Sequence, residues 1–232
     1  MNQVDSIAVF AIATTLVMSL LYFFLLERMK QSAPTFIPSL SVNLFLIRKI
    51  SGFLLFGVIP AVALLGFFTG EPYAFGLQWG DFTGLWVWIA GASFILIALN
   101  VVNSGNKTLH KMYPELRIAH WTPTDFALSF GGWVLYLAGY EFMFRGMLLF
   151  GCYYAFGLWP AVTINLALYT ALHLPKGIKE TIGAIPFGAL ICYVTIESQS
   201  ILPAIILHSI QAISCEIACT IRNPEMKISL KS

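Results

Sequence analysis

Four residues of this sequence have the types and positions to do chemistry. They are Glu141 and Arg145 in "GYEFMFRGML", His173 in "YTALHL" and His208 in "AIILHSIQAIS". Each lies in or at the end of an apolar run, where a charge costs about 2.5–3.5 kcal/mol on insertion scales. Glu141 and Arg145 stand at i and i+4, so they share one helix face and can pair there. Alone, the pair reads as a self-neutralising staple. A glutamate and two histidines on three separate runs read as a site, because helical bundles build sites from side chains on facing helices. Three chemistries suit that set. The first is peptide hydrolysis with the glutamate as general base, since burial raises a carboxylate's affinity for a proton. The second is a zinc centre with Glu141, His173 and His208 as ligands, a known ligand set that no HExxH spacing supports here. The third is proton or ion translocation. Spacing alone does not choose among them.

The elements that must hold these residues are membrane spans. The chain is 58% hydrophobic and 10% charged, with a mean hydropathy of +0.80. Soluble domains carry roughly 25% charged residues, so the sequence reads as a single all-α, polytopic membrane domain over 1–232. Apolar runs mark spans at Ile7–Leu26, Ile50–Thr69, Phe82–Val102, Phe126–Leu149, Trp159–His173, Ile182–Ile196 and Ile201–Ala218. An eighth element, an interfacial helix, is read over residues 34–46, where Pro34 and Pro38 argue against a full span. The run at Ile7–Leu26 has no basic residues before it and no small-residue cleavage site, and reads as a span rather than a signal peptide.

Basic residues test this layout. Twelve of the 13 Lys and Arg fall in alternate connections or after the last span, and Arg145 is the exception. The positive-inside rule then places the basic loops and the C-terminus in the cytoplasm and the N-terminus outside. The net charge of +2 and the lack of a basic, aromatic-interleaved stripe set nucleic acid aside as a partner. Cys152, Cys192, Cys215 and Cys219 read as small apolar packing residues. Asn106-Lys107-Thr108 matches a glycosylation sequon, but in a cytoplasmic loop it reads as chance. The aromatic stripe of Trp133, Tyr136 and Tyr140 reads as packing, Glu216 as snorkelling or pairing at the boundary, and Gly183 and Gly188 as points of close helix approach.

The motifs resemble those of the CAAX prenyl protease type II and bacteriocin-processing family of intramembrane proteases, also called Abi proteins. Its pattern is EExxxR, FxxxH, and HxxxN or HxxxD. "YEFMFRG" (140–146), "YTALH" (169–173) and "HSIQA" (208–212) follow it in order, within a protease-like core over about 125–215. The resemblance implies an intramembrane endopeptidase whose partners are the lipid bilayer and a membrane protein or lipidated peptide as substrate. It implies that Glu141 and His173 activate water, that His208 stabilises the oxyanion, and that Arg145 orients the glutamate region. No cofactor is required on this reading, with zinc the alternative. The sequence departs from the pattern at three positions. Tyr140 stands where the first Glu belongs, Ala212 where the oxyanion Asn belongs, and Tyr169 in place of Phe. The first two motivate an alternative, a catalytically impaired pseudoprotease that binds membrane peptides or partners.

Counting along the spans leaves a depth mismatch. Glu141 lies about 24 Å into its span at 1.5 Å per residue. His208 falls nearer the outer end of its span and His173 nearer the cytoplasm. For the three to meet, the fifth span must be short, or the stretch 174–186, with Pro175, Gly177, Gly183 and Pro186, must break to line a cavity.

Overall fold

A computed structural model describes residues 3–26, 38–68 and 72–229. It is an all-α bundle built around one long, mostly buried helix. Among the described residues, six helical stretches are long and apolar enough to cross a membrane: Gln3–Leu25, Ser39–Phe67, Trp86–Asn103, Pro123–Phe156, Ile178–Ser198 and Leu202–Arg222. A seventh helix, Leu158–Ala171, has only 14 residues, about 21 Å. We number the helices α1 (Gln3–Leu25), α2 (Pro38–Phe53), α3 (Ile59–Phe67), α4 (Trp86–Asn103), α5 (Lys107–His110), α6 (Pro123–Glu141), α7 (Phe150–Phe156), α8 (Leu158–Ala171), α9 (Ile178–Ser198) and α10 (Leu202–Arg222).

Two π-helical stretches weld neighbouring helices into continuous spans. Leu54–Val58 joins α2 to α3, and Phe142–Leu149 joins α6 to α7. The first welding corrects the interfacial helix read over 34–46. Residues 38–46 form the start of the second span, with Pro38 as the first helical residue, where its missing N–H costs nothing. Residues 34–37 lie outside the described residues.

The central span starts where its sequence caps it. Thr122 Oγ1 accepts from the Asp125 N–H at 3.4 Å, Asp125 Oδ2 accepts from the Thr122 N–H at 2.8 Å, and Pro123 takes the first turn. From there 78% of the span's apolar window is buried, against 6% for α4. The main core gathers on this span around Tyr140, Met143, Phe144, Met147 and Leu148. The second span crosses it at two glycines. A Cβ on Gly139 would stand 2.9 Å from the Phe53 carbonyl oxygen and 3.1 Å from the Gly57 nitrogen. The backbones touch there, just before Glu141. Gly188 of α9 makes room for the side chains of Leu166 and Tyr169 of α8, whereas Gly183 faces open space. Pro203 lies in the first turn of α10.

The connection 104–122 is tied down by buried polar contacts. Glu216, fully buried on α10, accepts from the backbone N–H groups of Glu115 (3.0 Å) and Leu116 (3.4 Å) and from the Ser129 hydroxyl (3.1 Å). It therefore does not snorkel; its carboxylate satisfies a loop backbone. Glu115 in turn meets Lys49 at 2.9 Å and Arg48 at 3.3 Å. Lys49 also sits 3.0 Å from the centroid of the Trp133 ring. Asn106, the sequon asparagine, caps α5 by accepting from the Thr108 N–H at 2.8 Å. A two-residue parallel pairing of His120–Trp121 with Lys227–Ile228 holds the C-terminal segment against the same connection.

Candidate active site

Glu141 is the last residue of α6, and the π-helical stretch begins immediately after it. A π turn adds a residue to the helix and leaves backbone groups to be satisfied from elsewhere, and such turns are frequent at functional sites. Here Asn165 of α8 donates to the Phe144 carbonyl at 2.6 Å, and its own carbonyl oxygen accepts from the Cys192 thiol at 3.3 Å. Arg145 therefore sits on a π-helical turn rather than a regular i, i+4 ladder. It still reaches Glu141: Nη1 lies 3.1 Å from Oε2, with both side chains 0% exposed. The pair is an ion contact out of line for a hydrogen bond, since neither atom finds an aligned partner. The guanidinium also lies 4.3 Å from the centroid of the Tyr169 ring, close enough for a cation–π contribution.

The second oxygen of Glu141 meets His208. Nδ1 of His208 lies 2.5 Å from Oε1. With Glu141 as the carboxylate, Nδ1–H is the donor, and Nε2 is left for the cavity. His173 has the matching arrangement. Its Nδ1 lies 2.9 Å from the Tyr169 carbonyl oxygen, which can only accept, so Nδ1 carries the proton and Nε2 is again left over. Both histidines line a cavity of about 430 Å³, together with Tyr140, Tyr169 and Ala212. The rings gather around Tyr169, which lies 4.7 Å from His173 in a tilted pair and 6.3 Å from His208 in an edge-on pair, between centroids. Tyr140 meets His208 edge-on at 5.6 Å.

The four residues singled out from the sequence therefore fall into two groups. Glu141, Arg145 and His208 are in direct contact. His173 joins His208 on the cavity wall, and no hydrogen bond or ion pair links it to Glu141. The depth mismatch is resolved at α8. That helix stops at Ala171, and a 3₁₀ turn at Leu174–Lys176 with Gly177 at φ +100° reverses the chain. The break is confined to that turn; α9 runs without interruption through Pro186.

Glu141 is not part of the cavity wall. It lies beneath it, behind Tyr140 and His208, with its oxygens directed to Arg145 and His208. That arrangement does not offer the carboxylate to a zinc ion beside His173 and His208. Among the described residues, no group of three or more His, Cys, Asp or Glu is placed to hold a metal. Tyr140 and Ala212, two of the departures from the motif pattern, both lie on the cavity wall.

The stripe of Trp133, Tyr136 and Tyr140 does both things available to it. It packs against Phe56 and Tyr22, and it lines the cavity. Sequence reasoning missed three polar residues of the spans: Asn100, Asn165 and Ser129. The signal was present for the two asparagines, since each is a carboxamide inside an apolar run.

Residues 121–213 match the family model of the type II CAAX prenyl endopeptidase Rce1-like proteins. The chain carries an Rce1-like segment. The segment spans the whole constellation, from the cap of α6 through Glu141, Arg145 and His173 to His208 and Ala212. No curated protein and no solved structure matches the chain.

Proposed function

We propose that this integral membrane protein is an intramembrane endopeptidase, hydrolysing a peptide bond of a membrane-associated protein or peptide in the cavity lined by His173 and His208. One observation carries the reading: His208 faces the cavity while its Nδ1 is held by a fully buried carboxylate, Glu141, that is itself charge-balanced by Arg145. A carboxylate behind an imidazole fixes its tautomer and stabilises the imidazolium that forms when Nε2 takes a proton. His208 is thus the general base for the attacking water, Glu141 its positioning residue, and His173 a second imidazole that orients the water or the substrate. This differs from the assignment the family resemblance implies, because Glu141 is sealed from the cavity. The cavity wall also includes Lys176 and Lys179, at the turn into α9, and Arg48, which the sequence reads as loop but which lies within α2. That supports a cytoplasmic opening and a substrate entering from that side.

The test compares membrane-protein termini by mass spectrometry in cells making wild type or Glu141→Gln at matched levels. Termini present with wild type and lost with the variant are the expected result. Identical termini would count against the reading. A second reading, a pseudoprotease that binds membrane peptides without cutting them, is favoured by Tyr140 and Ala212, both on the cavity wall. It predicts that Tyr140→Glu with Ala212→Asn creates cleavage absent from the parent. Equal cleavage by both proteins would remove it.

A further inference from the structure

α4 is the most lipid-exposed of the long spans. Its one buried residue is Asn100, 7% exposed, near its cytoplasm-directed end. Asn100 belongs to a part of the chain outside the Rce1-like segment. A carboxamide among lipid-facing side chains must find partners, and this one finds them all on α10. Its Nδ2 donates to the Gln211 carbonyl oxygen (2.9 Å), the Ser214 hydroxyl (2.7 Å) and the Gln211 side-chain oxygen (3.2 Å). Its Oδ1 accepts from Gln211 Nε2 at 3.3 Å. The two carboxamides therefore clasp each other in both directions, which fixes the plane and the orientation of the Gln211 side chain.

A staple between helices would need only the bonds to the Gln211 carbonyl and Ser214. The reciprocal clasp does more, because Gln211 Nε2 carries two N–H groups and only one is spent on Asn100. Asn100 and Gln211 both line the cavity that holds His208. Gln211 stands three residues after His208 on α10, so the two side chains are neighbours on one helix face. Ala212, four residues after His208, carries no donor.

We infer that Gln211 is the oxyanion donor of this site, held in place by Asn100 as a positioning residue. The inference rests on the peptidase reading above. In the addition step, water adds its oxygen to the scissile carbonyl carbon and its proton passes to His208 Nε2. The negative charge that develops on the carbonyl oxygen is met by the free Nε2–H of Gln211. In the collapse step the C–N bond breaks, and the proton on His208 passes to the leaving nitrogen. A donor on the neighbouring helix face thus takes over the task that position 212 cannot perform.

The experiment uses the full chain in proteoliposomes with a quenched-fluorescent library of acylated peptides. It measures kcat and KM for wild type, Gln211→Met, Asn100→Leu, Ala212→Asn and the double variant Gln211→Met/Ala212→Asn, each at equal folded amount. Removing one oxyanion donor typically lowers kcat by about 10²–10³. Gln211→Met is expected to lose kcat on that scale with KM within a few-fold of wild type. Asn100→Leu is expected to lose kcat in the same sense, by a smaller factor. The double variant is expected to recover kcat by more than about tenfold over Gln211→Met, because an amide at 212 restores a donor. Ala212→Asn alone is the reference for an amide at 212 beside an intact Gln211. Wild-type kcat in Gln211→Met, a change in KM alone, or a gain of about 10² in Ala212→Asn alone would each overturn the inference while leaving the peptidase standing. Absence of cleavage by wild type would remove the peptidase reading and this inference together.

Discussion

At the scale of single residues, the arrangement turns on how Glu141 is used. A carboxylate in a membrane bundle can face a cavity and take a proton, or lie behind another group and direct it. Tyr140 occupies the cavity wall, and Glu141 lies behind it with Arg145 at 3.1 Å and His208 at 2.5 Å. Arg145 is the counter-charge this depends on. Removing one partner of a buried pair leaves the other uncompensated and typically costs about 3–5 kcal/mol. Arg145→Met should therefore lower the thermal unfolding midpoint in detergent sharply, and Glu141→Gln/Arg145→Met should recover a large part of the loss. An unchanged midpoint in Arg145→Met would mean that the pair carries no structural weight. The pair, and the two histidines, were legible in the sequence because a charge or an imidazole in an apolar run needs a reason. Their wiring was not legible. Whether the carboxylate lies on or under the cavity wall depends on the rotation of a helix that turns π-helical at that point. Asn100 was legible in principle by the same argument, but its partner on α10 is 111 residues away.

At the scale of elements, the site depends on close backbone approach and on one short helix. Gly139 brings α6 against the second span at Phe53 and Gly57, two residues before Glu141. A methyl group there meets backbone atoms that cannot rotate aside. Gly139→Ala should cost about 1–3 kcal/mol, the usual cost of overpacking. Gly183→Ala, on α9 with nothing within 4 Å of its new methyl, should be neutral or stabilise by up to about 1 kcal/mol. Paired thermal unfolding curves check both, and an equal response to the two substitutions would contradict the packing described here. The spans themselves were read well from apolar runs, since a bilayer demands length and lack of charge. Their ends were read less well. The second span begins at Pro38 because a proline suits a first helical turn as readily as it breaks a helix, and only the fold distinguishes the two. The 14-residue length of α8, which brings His173 to the depth of His208, was one of two options that counting left open.

At the scale of the whole molecule, the described helices enclose the cavity that holds His173 and His208, and its wall reaches the basic residues Lys176 and Lys179 at the turn into α9. We propose that the basic connections face the cytoplasm, as the distribution of Lys and Arg predicts. All four cysteines are buried, so introduced cysteines report cleanly. Trp79, 84% exposed in the connection before α4, should label as Trp79→Cys with an impermeant thiol reagent on intact cells. Lys107→Cys, in the exposed start of α5, should label only after permeabilisation. The reverse pattern would invert the topology and the side from which substrate enters.

The central claim is that Glu141 acts through His208 as one unit. The most direct test measures peptide cleavage in proteoliposomes by wild type, Glu141→Gln, His208→Gln and the double variant, at equal folded amount. Residues that act as a unit are strongly non-additive. The dyad predicts a large fall in kcat for each single variant and little further loss in the double. Additive losses, or wild-type cleavage by Glu141→Gln, would contradict it.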